Sequence, residues 1–190
     1  MPLKITIEAN ESNPLFDPET NRFIVLKHPV TITMEHSLLA VSKWESKWMT
    51  PFTSESKETF TREKLIDYFR CMTITPNVDP EVYYALTNEQ INEIVAYMNS
   101  PMTATKIKDI PGSHGKSGHV GAVTSEVLYY QMAALRIPFE CQKWHLNRLL
   151  MLLKIGAIEQ QPPKKMGKRD AMAQRRSLNA ARKAKHHTRG

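Results

Sequence analysis

Apolar and polar residues alternate over short stretches near the start of the chain. Lys4-Ile5-Thr6-Ile7 and Val30-Thr31-Ile32-Thr33 alternate with a period of two, and Phe23-Ile24-Val25-Leu26 is continuously apolar. β-Branched and aromatic residues in such runs favour strands, and the prolines between the runs mark turns. The pattern predicts an antiparallel β unit of two or three strands within residues 1–33.

From residue 35 the apolar period changes to three and four residues, which is typical of amphipathic helices. The first predicted helix begins at Glu35 and ends before Pro51, and its face carries Leu38, Val41, Trp44, Glu45 and Trp48. The two tryptophans of this face are interpreted as core residues. Capping signals place the starts of later helices at Thr61, at Asp79-Pro80-Glu81, at Thr87 with Gln90, and at Thr124 or Ser125. The last of these carries Val127, Leu128, Tyr130, Met132 and Leu135 and is predicted to end before Pro138.

Residues 102–124 have no helical period and are predicted to form a β-hairpin inserted in the helical body. Gly, Pro and Ser cluster at residues 111–118 between two β-permissive stretches. Gly115-Lys116-Ser117 matches the end of a phosphate-binding P-loop, but Ile110 occupies a position where that motif requires glycine. The segment is therefore interpreted as a hairpin tip rather than a nucleotide site.

The final helix of the body is predicted over residues 140–155, with Gly156 as its C-terminal cap. Its apolar residues occupy more of the circumference than one buried stripe, which indicates either deep burial or contact with a protein partner. We predict that Trp144 lies in the core and that partner contacts involve Trp144 together with the exposed residues Lys143, Leu146, Asn147 and Leu150.

Positive charge is concentrated after Pro162. Ten Lys or Arg and one acid follow this residue, a net charge of +9, which leaves −2 on residues 1–161 out of a total of +7. Pro162-Pro163 breaks the preceding helix, and the composition of residues 165–185 favours a helix that is marginal alone. Eight of these ten residues are the predicted contact positions of the tail: Lys164, Lys165, Lys168, Arg169, Arg175, Arg176, Arg182 and Lys183. Such arms bind nucleic acid phosphates or acidic protein surfaces, and charge alone leaves both open.

The sequence contains no recognisable catalytic or metal-binding set of residues. Cys71 and Cys141 are too far apart for a Cys-type zinc site, and His114 and His119 lack ligands at a recognised spacing. Cys141 is interpreted as a small buried side chain and His145 as a hydrogen-bonded core or interface residue. We therefore expect no catalytic residue, metal or cofactor. No apolar run reaches the roughly 20 residues needed to span a bilayer, so no membrane partner is expected.

Three segments resemble small proteins encoded in the tail-gene region of tailed bacteriophages. They are residues 35–48, Asn77-Val78-Asp79-Pro80-Glu81-Val82-Tyr83, and Ile137-Pro138-Phe139-Glu140-Cys141-Gln142-Lys143-Trp144-His145-Leu146-Asn147-Arg148-Leu149-Leu150, and a Lys/Arg-rich end follows them. Among these proteins, the chain is similar to tail assembly chaperones. The resemblance implies a helical protein of the host cytoplasm that binds the tape measure and tail tube proteins during assembly and is absent from the finished particle.

These observations predict an α+β fold with three parts. Residues 1–33 form an N-terminal β unit, residues 34–161 a helical body of roughly five helices with the hairpin at 102–124, and residues 162–190 a basic helical tail. Two alternatives to the chaperone function stay open. The chain is compatible with a virion structural component of the tail or neck, and with a protein that binds nucleic acid without sequence preference through the tail.

Overall fold

The computed structural model describes residues 1–12, 14–17, 21–54, 60–106, 122–160 and 168–186. The strands are β1 (Leu3–Ile7), β2 (Leu15–Asp17), β3 (Arg22–Ile24) and β4 (Val30–Met34). The α-helices are α1 (Leu38–Trp48), α2 (Arg62–Met72), α3 (Asn88–Asn99), α4 (Ser125–Ala134), α5 (Leu146–Glu159) and α6 (Lys168–His186), and 3₁₀ helices occupy Phe52–Ser54, Pro80–Ala85 and Phe139–Lys143. The predicted α+β class is confirmed. The chain divides into two compact units, Met1–Ala157 and Ile158–Gly190.

The strands form two separate antiparallel pairs. β1 pairs with β4, with Ile5 opposite Ile32 and Ile7 opposite Val30, and β2 pairs with β3. In the first pair, alternation places Ile5, Ile7 and Ile32 in the core. The third predicted strand, residues 23–26, therefore does not join β1 and β4. Asn10 explains why, because its side chain accepts from the Leu26 N–H and donates to the Ile24 carbonyl.

The helices of the first half begin where their capping residues predict. Thr61 accepts a hydrogen bond from the Lys64 N–H, and Thr87 and Gln90 form a reciprocal capping box at the start of α3. The first helix is shorter than predicted: it begins after Ser37, whose hydroxyl accepts from the Ala40 N–H.

A cluster of aromatic rings joins α1 and α2 in the core. Trp44 is fully buried, its indole N–H donates to the Lys64 carbonyl, and its ring lies 5.6 Å from that of Phe60. Tyr68 is also fully buried and its ring lies 4.3 Å from that of Phe52. The predicted core position of Trp44 is confirmed. Trp48 is partly buried against the same cluster and donates to Asp67.

The helix predicted over residues 140–155 is wrong in its first turn. Residues 139–143 form a 3₁₀ helix, Trp144 is extended, and α5 begins only at Leu146. The break occurs because this stretch pairs with the chain ahead of α1: Ser37 and His145 form an antiparallel bridge, and the Leu146 N–H donates to the His36 carbonyl at 2.6 Å. A continuous helix would lose this pairing.

Gly156 does not cap a helix, because α5 continues to Glu159. A Cβ at this position would lie 2.9 Å from Leu135 Cδ1. The missing side chain therefore lets α5 approach the end of α4.

Two further predictions concern residues that are not described in full. The tip of the predicted hairpin lies in residues 107–121, outside the described residues, and residues 102–106 and 122–124 have no regular secondary structure. The predicted boundary at Pro162-Pro163 also lies outside them.

Candidate partner-binding surface

The five residues predicted to bind a partner separate into an exposed and an internal group. Lys143, Trp144 and Leu150 are exposed, and Trp144 and Leu150 each retain 37% of their accessible surface. Leu146 is buried and Asn147 is partly buried. The predictions that Trp144 is core and that Leu146 is exposed are therefore wrong. Lys143 and Trp144 lie outside α5 and are exposed, while the buried face of the helix consists of Leu146, Leu149 and Leu153.

The internal pair holds the start of α5 against the end of α3. The Asn147 amide donates to the carbonyls of Met98 and Ser100 at 2.9 and 2.8 Å. These carbonyls belong to the last turn of α3, which has no further intrahelical donors. Asn147 thus completes a helix terminus, and its neighbour Leu146 fills the core.

Large apolar side chains are exposed on the consecutive elements α4, 3₁₀ helix 139–143 and α5. Tyr130 is 75% exposed and Phe139 is 53% exposed. We call these two residues, with Trp144 and Leu150, the α4–α5 apolar surface. Of the apolar residues that the sequence places on α4, Leu128 and Met132 are buried and Tyr130 is exposed.

Tyr129 and Arg148 contact two members of this surface, Phe139 and Trp144. Tyr129 packs its ring 6.3 Å from that of Phe139 and donates its hydroxyl hydrogen bond to Gln142. The Arg148 guanidinium lies 4.4 Å from the centre of the Trp144 ring, within the range of a cation–π contact. Neither partner was anticipated from the sequence. Pro138 interrupts the helical pattern directly before Phe139. This interruption is the one local feature of the sequence that indicates a residue outside the buried helix faces.

Cations outnumber carboxylates among the charged residues near these side chains in the sequence. Arg136, Lys143 and Arg148 are exposed, and so is Glu140, the neighbour of Phe139. Lys143 and Lys43 both line a groove of about 330 Å³. Leu39 and Ile74 contribute to the wall of this groove, and Ile74 is 57% exposed. The carboxylate of Glu35 also lines the groove, so its lining combines both signs of charge with apolar side chains.

A buried histidine cluster ties the junctions of the body together. His36 Nδ1 lies 2.6 Å from the Tyr68 hydroxyl, and the rings of His36 and His145 meet edge to face at 5.3 Å. His145 Nε2 lies 3.1 Å from the Tyr97 carbonyl, while its Nδ1 lies 3.3 Å from the Asn147 N–H. A carbonyl only accepts and an amide N–H only donates, so His145 carries one proton, on Nε2, and is neutral. The prediction of a hydrogen-bonded core histidine at this position is confirmed.

Burial keeps both rings of this cluster uncharged. It lowers the pKa of His36 to about 3, and the neighbouring His145 acts in the same direction. Burial also lowers the pKa of His145, although its hydrogen bond to the Tyr97 carbonyl and the charge of Glu35 oppose the shift. Both imidazoles of the cluster are therefore neutral in the folded chain, and protonation of either ring opposes folding.

A buried carboxylate fixes α4, the helix that carries Tyr130. Glu45 Oε2 accepts from the Ser125 N–H at 2.7 Å, and Oε1 accepts from the Phe52 N–H at 2.8 Å. An acid at a helix N-terminus satisfies an otherwise unpaired N–H and complements the helix dipole. Glu45 lies on the predicted apolar face of α1, and this position is the one feature of the sequence that indicates its burial.

The tail residues fall on α6 or outside the described residues. Lys164 and Lys165 lie outside them, and Lys168 is the first residue of α6. The exposed basic side chains of this helix are Arg169, Arg175, Arg176, Arg182, Lys183 and Lys185. No apolar residue of α6 is buried among its described side chains, and Met172 and Leu178 are 63% and 52% exposed.

Other candidate chemistry receives little support from the described residues. Cys141 is buried, as predicted, and His114 and His119 lie outside the described residues. Within the described ranges, no three His, Cys, Asp or Glu side chains are grouped in a way that would hold a metal ion. The described helices include none with the length and apolar character needed to cross a bilayer. Comparison with protein-family models, curated proteins and solved structures found no match.

Proposed function

We propose that the chain is a tail assembly chaperone of a tailed bacteriophage, acting in the host cytoplasm. It binds the tape measure and tail tube proteins during assembly and does not remain in the particle. The observation that carries the proposal is the α4–α5 apolar surface, four large apolar side chains exposed on consecutive elements. The resemblance of residues 137–150 to phage tail-region proteins covers three of the four.

Exposed aromatic side chains have an energetic cost that a partner removes. Burial of apolar surface contributes about 25 cal/mol per Å², and large aromatic residues next to arginine are typical anchors of protein interfaces. Trp144 stacked on Arg148 is such a pair. The excess of three exposed cations, Arg136, Lys143 and Arg148, over the carboxylate of Glu140 favours a partner with acidic residues beside its apolar ones, as on an amphipathic helix.

The proposal is tested by co-purification of the chain with the tape measure and tail tube proteins of the same genome. The Phe139→Ser, Leu150→Ser double variant should weaken this binding by about tenfold or more, since it removes two interface anchors. Met49→Asn is the matched control, because Met49 is 84% exposed and its positive φ suits asparagine. Equal binding by the wild type and the double variant would contradict the role of the surface.

Mass spectrometry of purified phage particles tests the second half of the proposal. A chaperone is absent from the particles, whereas a component of the tail or neck is present in a fixed ratio to the tube protein. Stoichiometric recovery would replace the chaperone by the structural alternative, even if the apolar surface binds the same partners.

A further inference from the structure

Adjacent cations recur every seven residues along α6. The pairs are Lys168-Arg169, Arg175-Arg176 and Arg182-Lys183. A helix turns by about 100° per residue, so a seven-residue repeat returns to nearly the same face with a drift of about 20°. The pair positions therefore form two rows along one side of the helix, with about 10.5 Å between successive pairs.

The two rows enclose a third row with the same repeat. Met172 and Asn179 are three or four residues from the neighbouring cations, the spacing of side chains that lie next to each other on a helix. Both are exposed. The opposite side of α6 carries Gln174, Ser177 and Ala181, and among the described basic side chains of this helix only Lys185 lies outside the two rows. The cations of α6 are thus concentrated on one side and periodic.

We propose that α6 docks lengthwise on a partner α-helix that carries acidic side chains at the same seven-residue repeat. A second helix presents side chains every 10.5 Å or so along its own axis, which matches the spacing of the cation pairs. Arginine, which supplies most of the described cations, forms two parallel hydrogen bonds to a carboxylate. The inference goes beyond the proposed function, because it requires neither the α4–α5 apolar surface nor a phage partner.

Nucleic acid is the competing target, and the arrangement favours it less. Non-specific binding depends on how many phosphates are neutralised, and a duplex carries a charge about every 1.7 Å of its axis. Such a ligand does not require cations to repeat every seven residues on one face. α6 also lacks aromatic residues, which commonly stack on single-stranded bases.

The test uses the full-length chain and three fluorescent probes. The first is a helical peptide of about four heptads with paired glutamates at one position of each heptad. The second has the same composition with the glutamates distributed over all faces, and the third is a duplex of about 30 base pairs of mixed sequence. Dissociation constants are measured by anisotropy at about 150 mM salt, where the screening length is about 8 Å.

A matched variant moves two cations out of the two rows without changing the composition of the chain. Gln174→Arg with Arg175→Gln, and Ala181→Arg with Arg182→Ala, keep the net charge and use only strong helix formers. Circular dichroism verifies that helix content is unchanged.

The expected result is that the repeat peptide binds the wild type at least about tenfold more tightly than the distributed peptide, and that the variant loses this preference. Equal affinity of the wild type for both peptides would overturn the inference. So would a preference that persists in the variant. Tighter binding to the duplex than to the repeat peptide, with the variant equal to the wild type, would assign α6 to nucleic acid phosphates.

Discussion

Acidification should destabilise the body through His36, because the folded chain resists its protonation. Its pKa falls from the ordinary value of 6.5 to about 3 in the folded state. The unfolded chain therefore binds a proton at a pH where the folded chain does not, and stability falls with pH below about 6.5. The full contribution is present above that pH and is progressively lost as the pH falls toward about 3.

The magnitude follows from the linkage between pKa and stability. Each pH unit between the two pKa values changes the free energy of unfolding by about 1.4 kcal/mol. Acidification from about pH 7 to pH 5 covers about 1.5 units of that window. It should therefore lower the free energy of unfolding by about 2 kcal/mol. The lowered pKa of His145 acts in the same direction, since this ring is also neutral when folded.

Urea denaturation followed by tryptophan fluorescence measures this loss at a series of pH values. His36→Gln is the matched variant, because glutamine retains a hydrogen-bonding group near the Tyr68 hydroxyl but does not titrate. The variant will be less stable at pH 7, yet its stability should depend less steeply on pH. The decisive quantity is the difference in slope between the two proteins. Identical slopes between pH 7 and pH 5 would refute the assignment to His36, and a flat wild-type profile would refute the lowered pKa.

Three further predictions concern the helices of the C-terminal half. Leu146→Ala should lower the free energy of unfolding by about 2–5 kcal/mol because the side chain is buried, whereas Trp144→Ala should cost about 1–2 kcal/mol; urea denaturation would contradict the assigned burial if the order were reversed. Gly156→Val should cost about 1–3 kcal/mol by overpacking against Leu135, and Leu135→Ala in the same chain should recover part of that loss in a double-mutant cycle. Deletion of residues 162–190 should leave the melting temperature of the remaining chain almost unchanged, and a large decrease in a thermal scan would show that the tail stabilises the body.

The elements that were predicted correctly are those determined by neighbouring residues. Thr61 and Thr87 cap helices through N–H groups three residues away, so their effect is visible in a short window. The alternation of apolar and polar residues in β1 and β4 is likewise visible in a short window, although the pairing of the two strands with each other is not local. The period of the apolar residues was enough to place Trp44 in the core.

The errors occur where a distant contact overrides a local preference. The composition of residues 140–145 favours continuous helix, but the chain forms a bridge there with Ser37, more than one hundred residues away. Likewise, Asn10 binds the backbone after β3 and diverts it from the β1–β4 pair. Among the residues predicted to be exposed, Lys143 and Leu150 are exposed and Leu146 is buried, whereas Trp144 is exposed although a core position was predicted. Trp144 lies outside α5, so the period of the helix does not determine its exposure.

The exposure of Trp144 therefore depends on the hydrogen bond between the Leu146 N–H and the His36 carbonyl. That bond belongs to the junction that carries the buried histidines, so the proposed partner surface and the acid-sensitive cluster share one backbone contact. A change at His36 can displace the start of α5, and with it Trp144 and Leu150, without any change in the surface residues themselves. Reduced partner binding in a His36 variant would thus be an indirect effect of the fold. The Phe139→Ser, Leu150→Ser variant acts on exposed side chains and leaves this junction intact, which makes it the stricter test of the surface.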